Sequence, residues 1–168
     1  MDAVPTDWLH LTVQDVGFCD ELPEANVQTA VQAAARAIAD LRARPLTLGP
    51  VTTMGSAVVL AGWPADHLRR LRNRLREAMA AVGLTVPGPD EFRPHVSLGY
   101  VNRDCDERTV MERLRTVRDL TTTLHAPRLT LAAVTRRDRH YQWRSVAELP
   151  LDGQGATSQH AMSRGSCS

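Results

Sequence analysis

Two short segments of the chain each place a histidine two residues before a side-chain hydroxyl. His10 precedes Thr12, and 85 residues further along His95 precedes Ser97. In an extended strand residues i and i+2 project from the same face, so each segment offers an imidazole beside a hydroxyl. Two such pairs facing each other suit in-line displacement at phosphorus, because a neutral imidazole takes a proton from water and a protonated one gives a proton to the leaving oxygen. The hydroxyls would donate hydrogen bonds to the non-bridging oxygens, where negative charge accumulates.

A His-x-Ser/Thr triplet alone is a weak signal. With 6 histidines, 7 serines and 15 threonines in the chain, about one match is expected by chance. The other four histidines, at 67, 125, 140 and 160, have no such partner. Both matches, however, lie in segments of alternating apolar residues and at equivalent positions of an internal repeat. The alternative, two half-buried histidines each satisfied by its neighbouring hydroxyl, is therefore the less favoured interpretation.

The spacing of apolar residues predicts the elements that must position these pairs. It predicts strands at residues 8–13, 46–48, 56–61, 95–101, 128–135 and 141–149, and helices at 24–43, 65–82 and 106–120. A Gly-Pro turn is expected between the second and third strands, and Gly83 should end the second helix. Alternation in the His95 strand puts Val96, Leu98 and Tyr100 on the face opposite the histidine. The unit strand–helix–strand–strand thus occurs twice, with His10 equivalent to His95.

The residues around the two histidines resemble the signature of a known family, the two-histidine (2H) phosphoesterases. These include the 2′-5′ RNA ligase-like proteins and the RNA 2′,3′-cyclic phosphodiesterases. The resembling segments are Trp8-Leu9-His10-Leu11-Thr12 and Phe92-Arg93-Pro94-His95-Val96-Ser97-Leu98. The resemblance covers roughly residues 7–150 and implies an α+β fold with two pseudo-symmetric lobes, each an antiparallel-rich sheet backed by helices, around a central cleft. We expect one domain over residues 1–151 and a disordered tail over 152–168, where little can be buried.

The resemblance also implies an activity and four catalytic residues, His10, Thr12, His95 and Ser97. The activity would be metal-independent hydrolysis of 2′,3′-cyclic phosphate or 2′-5′ phosphodiester bonds of RNA or nucleotides, leaving a 2′-phosphate from the cyclic ester. The sequence leaves open which histidine is the base; we favour His95 as base and His10 as acid. No cofactor is expected, and no HExxH or clustered ligand spacing predicts a metal site.

Three residues are candidates for contacting substrate. Tyr141 and Trp143 begin the last strand, whose counterpart in the family runs beside the site, and either ring could stack on a base. A core aromatic is an equally good interpretation of Trp143. Arg93 directly precedes the second motif and could contact phosphate, although a surface arginine is the ordinary alternative.

Two clusters of arginine are weaker candidates. The arginines at 136, 137 and 139, with His140, form a basic turn beside Tyr141 that could approach a phosphate. The arginine-rich run at residues 69–76 is better explained as the solvated face of a helix whose leucines point inward. All 20 basic residues are arginine, so lysine Schiff-base and Walker-type phosphate chemistry are excluded.

Composition bounds the class of protein. A chain of 168 residues with 43% hydrophobic residues is typical of one globular domain. Its net charge of +1 gives no overall basic field for nucleic acid. No apolar run is long enough to span a bilayer, and the acidic N-terminus is not a secretory signal. The three scattered cysteines, Cys19, Cys105 and Cys167, predict a reducing, cytoplasmic environment.

One departure from the family pattern affects the prediction. Family members usually begin with a strand and a helix before the first motif, whereas only nine residues precede His10. We therefore expect the lobe that carries His10 to be short of a strand and a covering helix, which a homodimer could cover. The expected partner is an RNA end or a small nucleotide, not a membrane. The alternatives are a non-catalytic module that binds a nucleotide or RNA end, or an inactive truncated relative.

Overall fold

The computed structural model of the protein describes residues 1–18, 21–88, 91–102, 106–117, 119–137 and 140–153. Within these residues the chain forms seven strands, three α-helices and one short 3₁₀ turn. In chain order they are β1 (Asp2–Ala3), the 3₁₀ turn (Thr6–Trp8), α1 (Glu24–Ile38), β2 (Pro45–Met54), β3 (Ala57–Trp63), α2 (Ala65–Ala81), β4 (His95–Tyr100), α3 (Glu107–Arg113), β5 (Thr122–His125), β6 (Arg128–Arg137) and β7 (His140–Pro150).

The strands form two antiparallel sheets of unequal size. One has five strands in the order β1-β4-β3-β2-β5, and the other pairs β6 with β7. A mixed α+β fold with antiparallel sheets backed by helices confirms the predicted fold class. None of the helices in the described residues is both long and apolar enough to cross a membrane.

A cluster of buried apolar residues lies between α1, α2 and β7. From α1 it takes Ala30, Ala33, Ala34 and Ile38, from α2 Leu71, Leu75 and Met79, and from β7 Leu149. Because three of the four α1 residues are alanine, the two helix backbones can approach closely. The helix α2 ends as predicted: Gly83 has φ +76°, and the Gly83 and Leu84 amides donate to the carbonyls of Ala80 and Met79, both at 3.0 Å, which is the Schellman pattern.

The expected Gly-Pro turn is wrong. Gly49 and Pro50 lie inside β2, where the pairing with β3 shifts between Leu48 and Val51. A Cβ at Gly49 would overlap the carbonyl of Leu120, so glycine is required there by close packing. The chain reverses instead at Gly55, whose φ of +56° suits a tight two-residue hairpin loop.

One helix end and one strand also differ from prediction. The third helix was expected to reach residue 120 but ends at Arg113. After it, β5 pairs with the edge of β2 although all four of its residues are exposed. A strand stabilised mainly by ladder hydrogen bonds at a sheet edge leaves little hydrophobic pattern in the sequence, so periodicity does not reveal it. Of the predicted tail, residues 152–168, only Asp152 and Gly153 lie within the described residues, and Asp152 forms a bridge with Arg42. The rest of the tail and the single-domain assignment stay predictions.

Candidate active site

His95 and Ser97 lie on β4, the strand between β1 and β3. Their Cα partners on β3 are Ala61 and Val59, and residues paired across a ladder share a face of the sheet. The second histidine–hydroxyl pair therefore lies on one face as its spacing predicts. Val96, which is 6% exposed, is buried on the opposite face.

A bulge in β4 changes the face taken by Tyr100. Ser97 pairs with Val59, but the next partner, Val58, pairs with Gly99, so Leu98 is the extra residue. Tyr100 then pairs with Ala57, which shares a face of β3 with Val59. The alternation that put Tyr100 opposite His95 is thus wrong, because one inserted residue reverses the alternation beyond it. Tyr100 joins His95 and Ser97 on the same face.

His10 lies in a segment that is not a strand. Residues 9–18 form no ladder with any described strand, so the predicted strand at 8–13 is wrong. The chain leaves the 3₁₀ turn at Leu9 in an extended conformation (φ −66°, ψ 130°). It is then held by side-chain packing: Leu11 lies against Gly62 and Val13 against the apolar cluster between α1, α2 and β7. His10 is half-buried, whereas Thr12 is exposed.

The two histidines are oriented by the same contact. The Nδ1 of His10 lies 2.8 Å from the carbonyl oxygen of Trp8, and the Nδ1 of His95 lies 2.8 Å from that of Arg93. A carbonyl oxygen only accepts, so Nδ1 carries the hydrogen and donates it. The neutral ring in each case then has its lone pair on Nε2, the atom available to exchange a proton.

Gly62 of β3 brings the two motifs together. Its amide donates to the carbonyl of Pro94 at 2.8 Å. A Cβ at this position would come within 3.1 Å of Leu11 Cδ1 and 3.3 Å of Pro94 Cβ. Leu11 follows His10 directly and Pro94 precedes His95, so the neighbours of both histidines pack on one residue that has no side chain.

The first residues of β7 contact both motifs. Trp143 lies edge-on to Trp8, with ring centroids 6.4 Å apart at 83°, and Trp8 supplies the carbonyl that holds His10. Tyr141 lies edge-on to Tyr100 at 6.4 Å and 72°, and Tyr100 shares the face of His95. The structure thus brings both sequence-predicted aromatic residues to the histidine motifs. Tyr141 is 40% exposed, while the Trp143 indole N–H is buried with no acceptor among the described residues.

The arginine candidates divide between paired and available side chains. Arg93 is exposed and forms an ion pair with Glu91 at 2.8 Å, which competes with any contact to phosphate. The guanidinium of Arg136 lies 5.9 Å from the ring centroid of Tyr141, and Arg137 is exposed. Arg139 and the side chain of His140 lie outside the described part of the chain.

The arginine run on α2 is mainly structural. Arg69 pairs with Asp66, Arg74 pairs with Asp40, and Arg76 donates to Gln14 and to the Pro87 carbonyl. The expectation that the whole run is solvated is nevertheless wrong at Arg72, which is 5% exposed. Its guanidinium lies 5.2 Å from the ring centroid of Phe92, and its long apolar stem allows this burial.

Trp63 was not among the site residues predicted from the sequence. It ends β3 two residues after Ala61, the partner of His95, so alternation puts it on the face of His95. Half of its surface is exposed, which is unusual for an indole beside a sheet core. The signal was a tryptophan that continues the β3 alternation, but its face is known only once the β3–β4 register is known. Among the described residues, no three His, Cys, Asp or Glu side chains are grouped so that they could hold a metal ion.

The antiparallel sheet backed by helices matches the fold of solved two-histidine phosphoesterases. Escherichia coli LigT complexed with 3′-AMP aligns with a TM-score of 0.65 at 20% identity, over 89% of this chain and 80% of that one. The protein TT0787 of Thermus thermophilus aligns with a TM-score of 0.64 at 17% identity, over 89% and 81%. The MHV ns2 PDE domain aligns with a TM-score of 0.55 at 12% identity, over 74% and 70%. The fold class is therefore that of the 2H phosphoesterases.

A sequence profile described as the 2′-5′ RNA ligase superfamily matches residues 2–139. The chain belongs to this superfamily, and the resemblance predicted from the two motifs is confirmed. Membership supports a phosphoesterase-type function. No curated protein sequence matches the chain.

Proposed function

We propose that the protein is a metal-independent phosphodiesterase that hydrolyses 2′,3′-cyclic phosphate or 2′-5′ phosphodiester bonds of RNA or nucleotides. The observation that carries this proposal is the shared orientation of His10 and His95, each donating from Nδ1 to the carbonyl two residues earlier at 2.8 Å. This contact leaves Nε2 as the reactive atom on both rings. Packing of the two motif neighbours on Gly62 supports placing both rings at one phosphate.

The proposed reaction is an in-line displacement. Neutral His95 takes a proton at Nε2 from a water molecule, whose oxygen forms a bond to phosphorus while the bond from phosphorus to the ribose 3′-oxygen breaks. Protonated His10 gives its Nε2 proton to that 3′-oxygen, so the product carries a 2′-phosphate and a 3′-hydroxyl. Ser97 and Thr12 donate hydrogen bonds to the non-bridging oxygens. The histidine roles exchange in the reverse reaction.

Two exposed aromatic rings support recognition of a base. Tyr141 and Trp63 both border the face that carries His95, and stacking on an aromatic ring tolerates any base. Arg136, beside Tyr141, is a better phosphate contact than Arg93, since Arg93 is already paired with Glu91. A nucleotide substrate also fits the complex of LigT with 3′-AMP.

The test is phosphorus NMR of 2′,3′-cyclic AMP incubated with the protein in EDTA. We expect conversion to the 2′-phosphate, lost in His10→Ala and in His95→Ala. His125→Ala is the matched control, because His125 is an exposed histidine on the opposite edge strand β5. No conversion by the folded protein, or conversion that survives both substitutions, would contradict the proposal.

The second candidate is a module that binds the nucleotide without turnover. It is favoured by the His10 segment, which has no ladder to fix it, since small displacements of a catalytic group are costly. Calorimetry with 3′-AMP, combined with the phosphorus NMR assay, separates the two candidates. A module that only binds loses affinity for 3′-AMP in His95→Ala but shows no turnover in the wild-type protein. The homodimer and the cytoplasmic location stay predictions, and light scattering of the full chain tests the first.

A further inference from the structure

A pocket lies between the segment after α1 and one face of α2, and neither histidine motif lines it. It has a volume of about 410 Å³. Its α2 wall takes residues three and four positions apart, which lie on one side of a helix: His67, Arg70, Leu71 and Arg74. Its other wall is formed by residues 40–42 and 44. None of these residues belongs to the site proposed above.

The pocket is strongly basic. Four arginines and His67 line it, against the single carboxylate of Asp40. That carboxylate is already engaged by Arg74 at 2.9 Å, and hydrogen bonding from Arg74 holds the pKa of Asp40 below its usual value. The side chains of Arg44 and Arg70 are exposed and form neither a hydrogen bond nor an ion pair within the described ranges. Two guanidinium groups on opposite walls are therefore left without a counter-charge.

The pocket wall formed by residues 40–42 and 44 is held in place by the last described residues of the chain. The Ala43 amide donates to the carbonyl of Leu151 at 2.6 Å, and Arg42 forms an antiparallel bridge with Asp152. Gly153 lies so close to Arg42 that a Cβ there would come within 3.0 Å of its side chain. A basic pocket with an ordered wall is better organised for a ligand than arginines on a free helix face.

The pKa of His67 is affected by the unpaired charges of the two arginines. Burial first, and then the charges of Arg44 and Arg70, lower the pKa of His67 below its usual 6.5. A bound anion between the two guanidinium groups would reverse the second effect. Guanidinium groups present planar pairs of N–H donors that match the oxygens of a phosphate group.

We propose that this pocket is a phosphate-binding site, in which Arg44 and Arg70 hold a phosphate group from opposite walls. The phosphate is that of a free phosphate-bearing anion or a backbone phosphate of an RNA whose end lies at the histidines. Both sources present the same oxygens to the arginines. Arg44 directly precedes β2 at the end of the sheet where β4 begins with His95, so a single strand of RNA could extend between the two sites.

The first experiment measures binding of inorganic pyrophosphate by calorimetry and by NMR of the His67 ring. We expect saturable binding that raises the pKa of His67 and weakens at least tenfold in the double variant Arg44→Gln/Arg70→Gln. Arg69→Gln is the matched control, since Arg69 is the next residue on α2 but lies outside the pocket and pairs with Asp66; its affinity should stay within twofold. Both pocket arginines are exposed, so the variants should fold, and their thermal unfolding confirms it.

Three outcomes would overturn the site. These are no pyrophosphate binding by the wild-type protein, equal weakening by Arg69→Gln, or binding that is lost in His10→Ala/His95→Ala and kept in the arginine double variant. The last would mean that pyrophosphate binds at the histidines. Because these readouts need no turnover, their failure is distinguishable from failure of the proposed activity.

A second arm identifies the source of the phosphate and rests on the proposed function. The KM of a short RNA ending in a 2′,3′-cyclic phosphate is compared with that of 2′,3′-cyclic AMP. If the arginine double variant raises KM at least fivefold for the RNA alone, the pocket holds a backbone phosphate. If both KM values are unchanged while pyrophosphate binding is weakened, the pocket holds a free phosphate-bearing anion.

Discussion

The imidazoles of His10 and His95 are held by one and the same contact, although one lies in an irregular segment and the other begins a strand. In each, Nδ1 donates to the carbonyl two residues earlier at 2.8 Å. The local backbone before each histidine, rather than a partner side chain, thus selects the ring tautomer. This explains how two segments of different secondary structure can present the same Nε2 atom.

The first prediction concerns that tautomer. In the neutral form both His10 and His95 should carry hydrogen on Nδ1, because a carbonyl accepts it there. Long-range proton–nitrogen NMR spectra distinguish the two tautomers directly. His125, exposed on β5, serves as the comparison and should show no excess of the tautomer that carries hydrogen on Nδ1. Finding either motif histidine with hydrogen mainly on Nε2 would remove the basis of the proposed roles.

The second prediction concerns Gly62, on which both motif neighbours pack. Gly62→Ala adds a methyl group within 3.1 Å of Leu11 and 3.3 Å of Pro94, so one motif must move. We expect a stability loss of about 1–2 kcal/mol, as for overpacking, and a fall in kcat that is smaller than the roughly 100-fold cost of a 1 Å misplacement, because the neighbours need to shift by less than that. Gly55→Ala is the control, since it strains a positive φ with nothing within 4 Å. It should lower the unfolding temperature with kcat unchanged; an equal fall in kcat would mean that stability alone is responsible.

The third prediction concerns the aromatic residues at the site. Tyr141→Ala and Trp63→Ala should each raise the KM for 2′,3′-cyclic AMP about 5- to 150-fold, because base stacking on an aromatic ring contributes roughly 1–3 kcal/mol. Tyr141→Phe keeps the ring and should behave as wild type. Val146→Ala, at an exposed β7 residue, controls for changes in the strand. Unchanged KM in both alanine variants would exclude stacking at these two residues.

The fourth prediction separates the ring of Trp143 from its N–H. Trp143→Phe keeps the edge-on contact with Trp8 and removes a buried donor that has no acceptor among the described residues. The free energy of unfolding in urea should therefore change by less than about 1 kcal/mol, since losing an unsatisfied donor offsets the smaller ring. Trp143→Ala should cost about 3 kcal/mol. A large loss in the phenylalanine variant would show that the indole N–H has a bound acceptor in solution.

The fifth prediction is the pH dependence that His67 introduces. Because the folded protein lowers the pKa of His67 below 6.5, the unfolded chain takes up this proton first as the pH falls. The free energy of unfolding should therefore decrease on acidification through pH 6.5. His67→Gln should remove that part of the decrease. The unfolding temperature of the variant minus that of the wild type should therefore increase as the pH is lowered from 7.5 to 5.5. His125→Gln, at an exposed position, is the control, and parallel curves for wild type and His67→Gln would contradict the assignment.

Much of the fold could be predicted because it follows from local pattern. The apolar spacing located α1, α2 and the strands β3, β4, β6 and β7, and Gly83 marked the end of α2. The segment around His10 could not be predicted correctly, because alternation describes which residues are buried but not whether a strand lies alongside. Gly49 was misinterpreted as a turn residue for a similar reason: the close approach of Leu120 that requires it comes from a distant part of the chain.

In the candidate site, too, local relationships could be predicted from the sequence and tertiary relationships could not. Residue spacing was sufficient to predict that His95 and Ser97 share one face of one strand, since two positions on one strand are a local relationship. Trp63 was overlooked and Tyr100 was predicted on the wrong face, because the faces of both residues depend on the pairing of β3 with β4. The basic pocket was also missed, since Arg44 and Arg70 are 26 positions apart in the chain and their proximity is a tertiary property.

The bulge at Leu98 has a consequence for variation and design. Tyr100 lies three residues after Ser97, a spacing that regular alternation would place on opposite faces, and the extra residue of the bulge returns its ring to the face of His95. Deleting Leu98 would remove the bulge and leave the tyrosine two residues after Ser97, still paired with Ala57 and still on that face. The distance along the chain from the hydroxyl of the second motif to this tyrosine can therefore differ by one residue between relatives without changing which ring lines the site, because the bulge absorbs the difference.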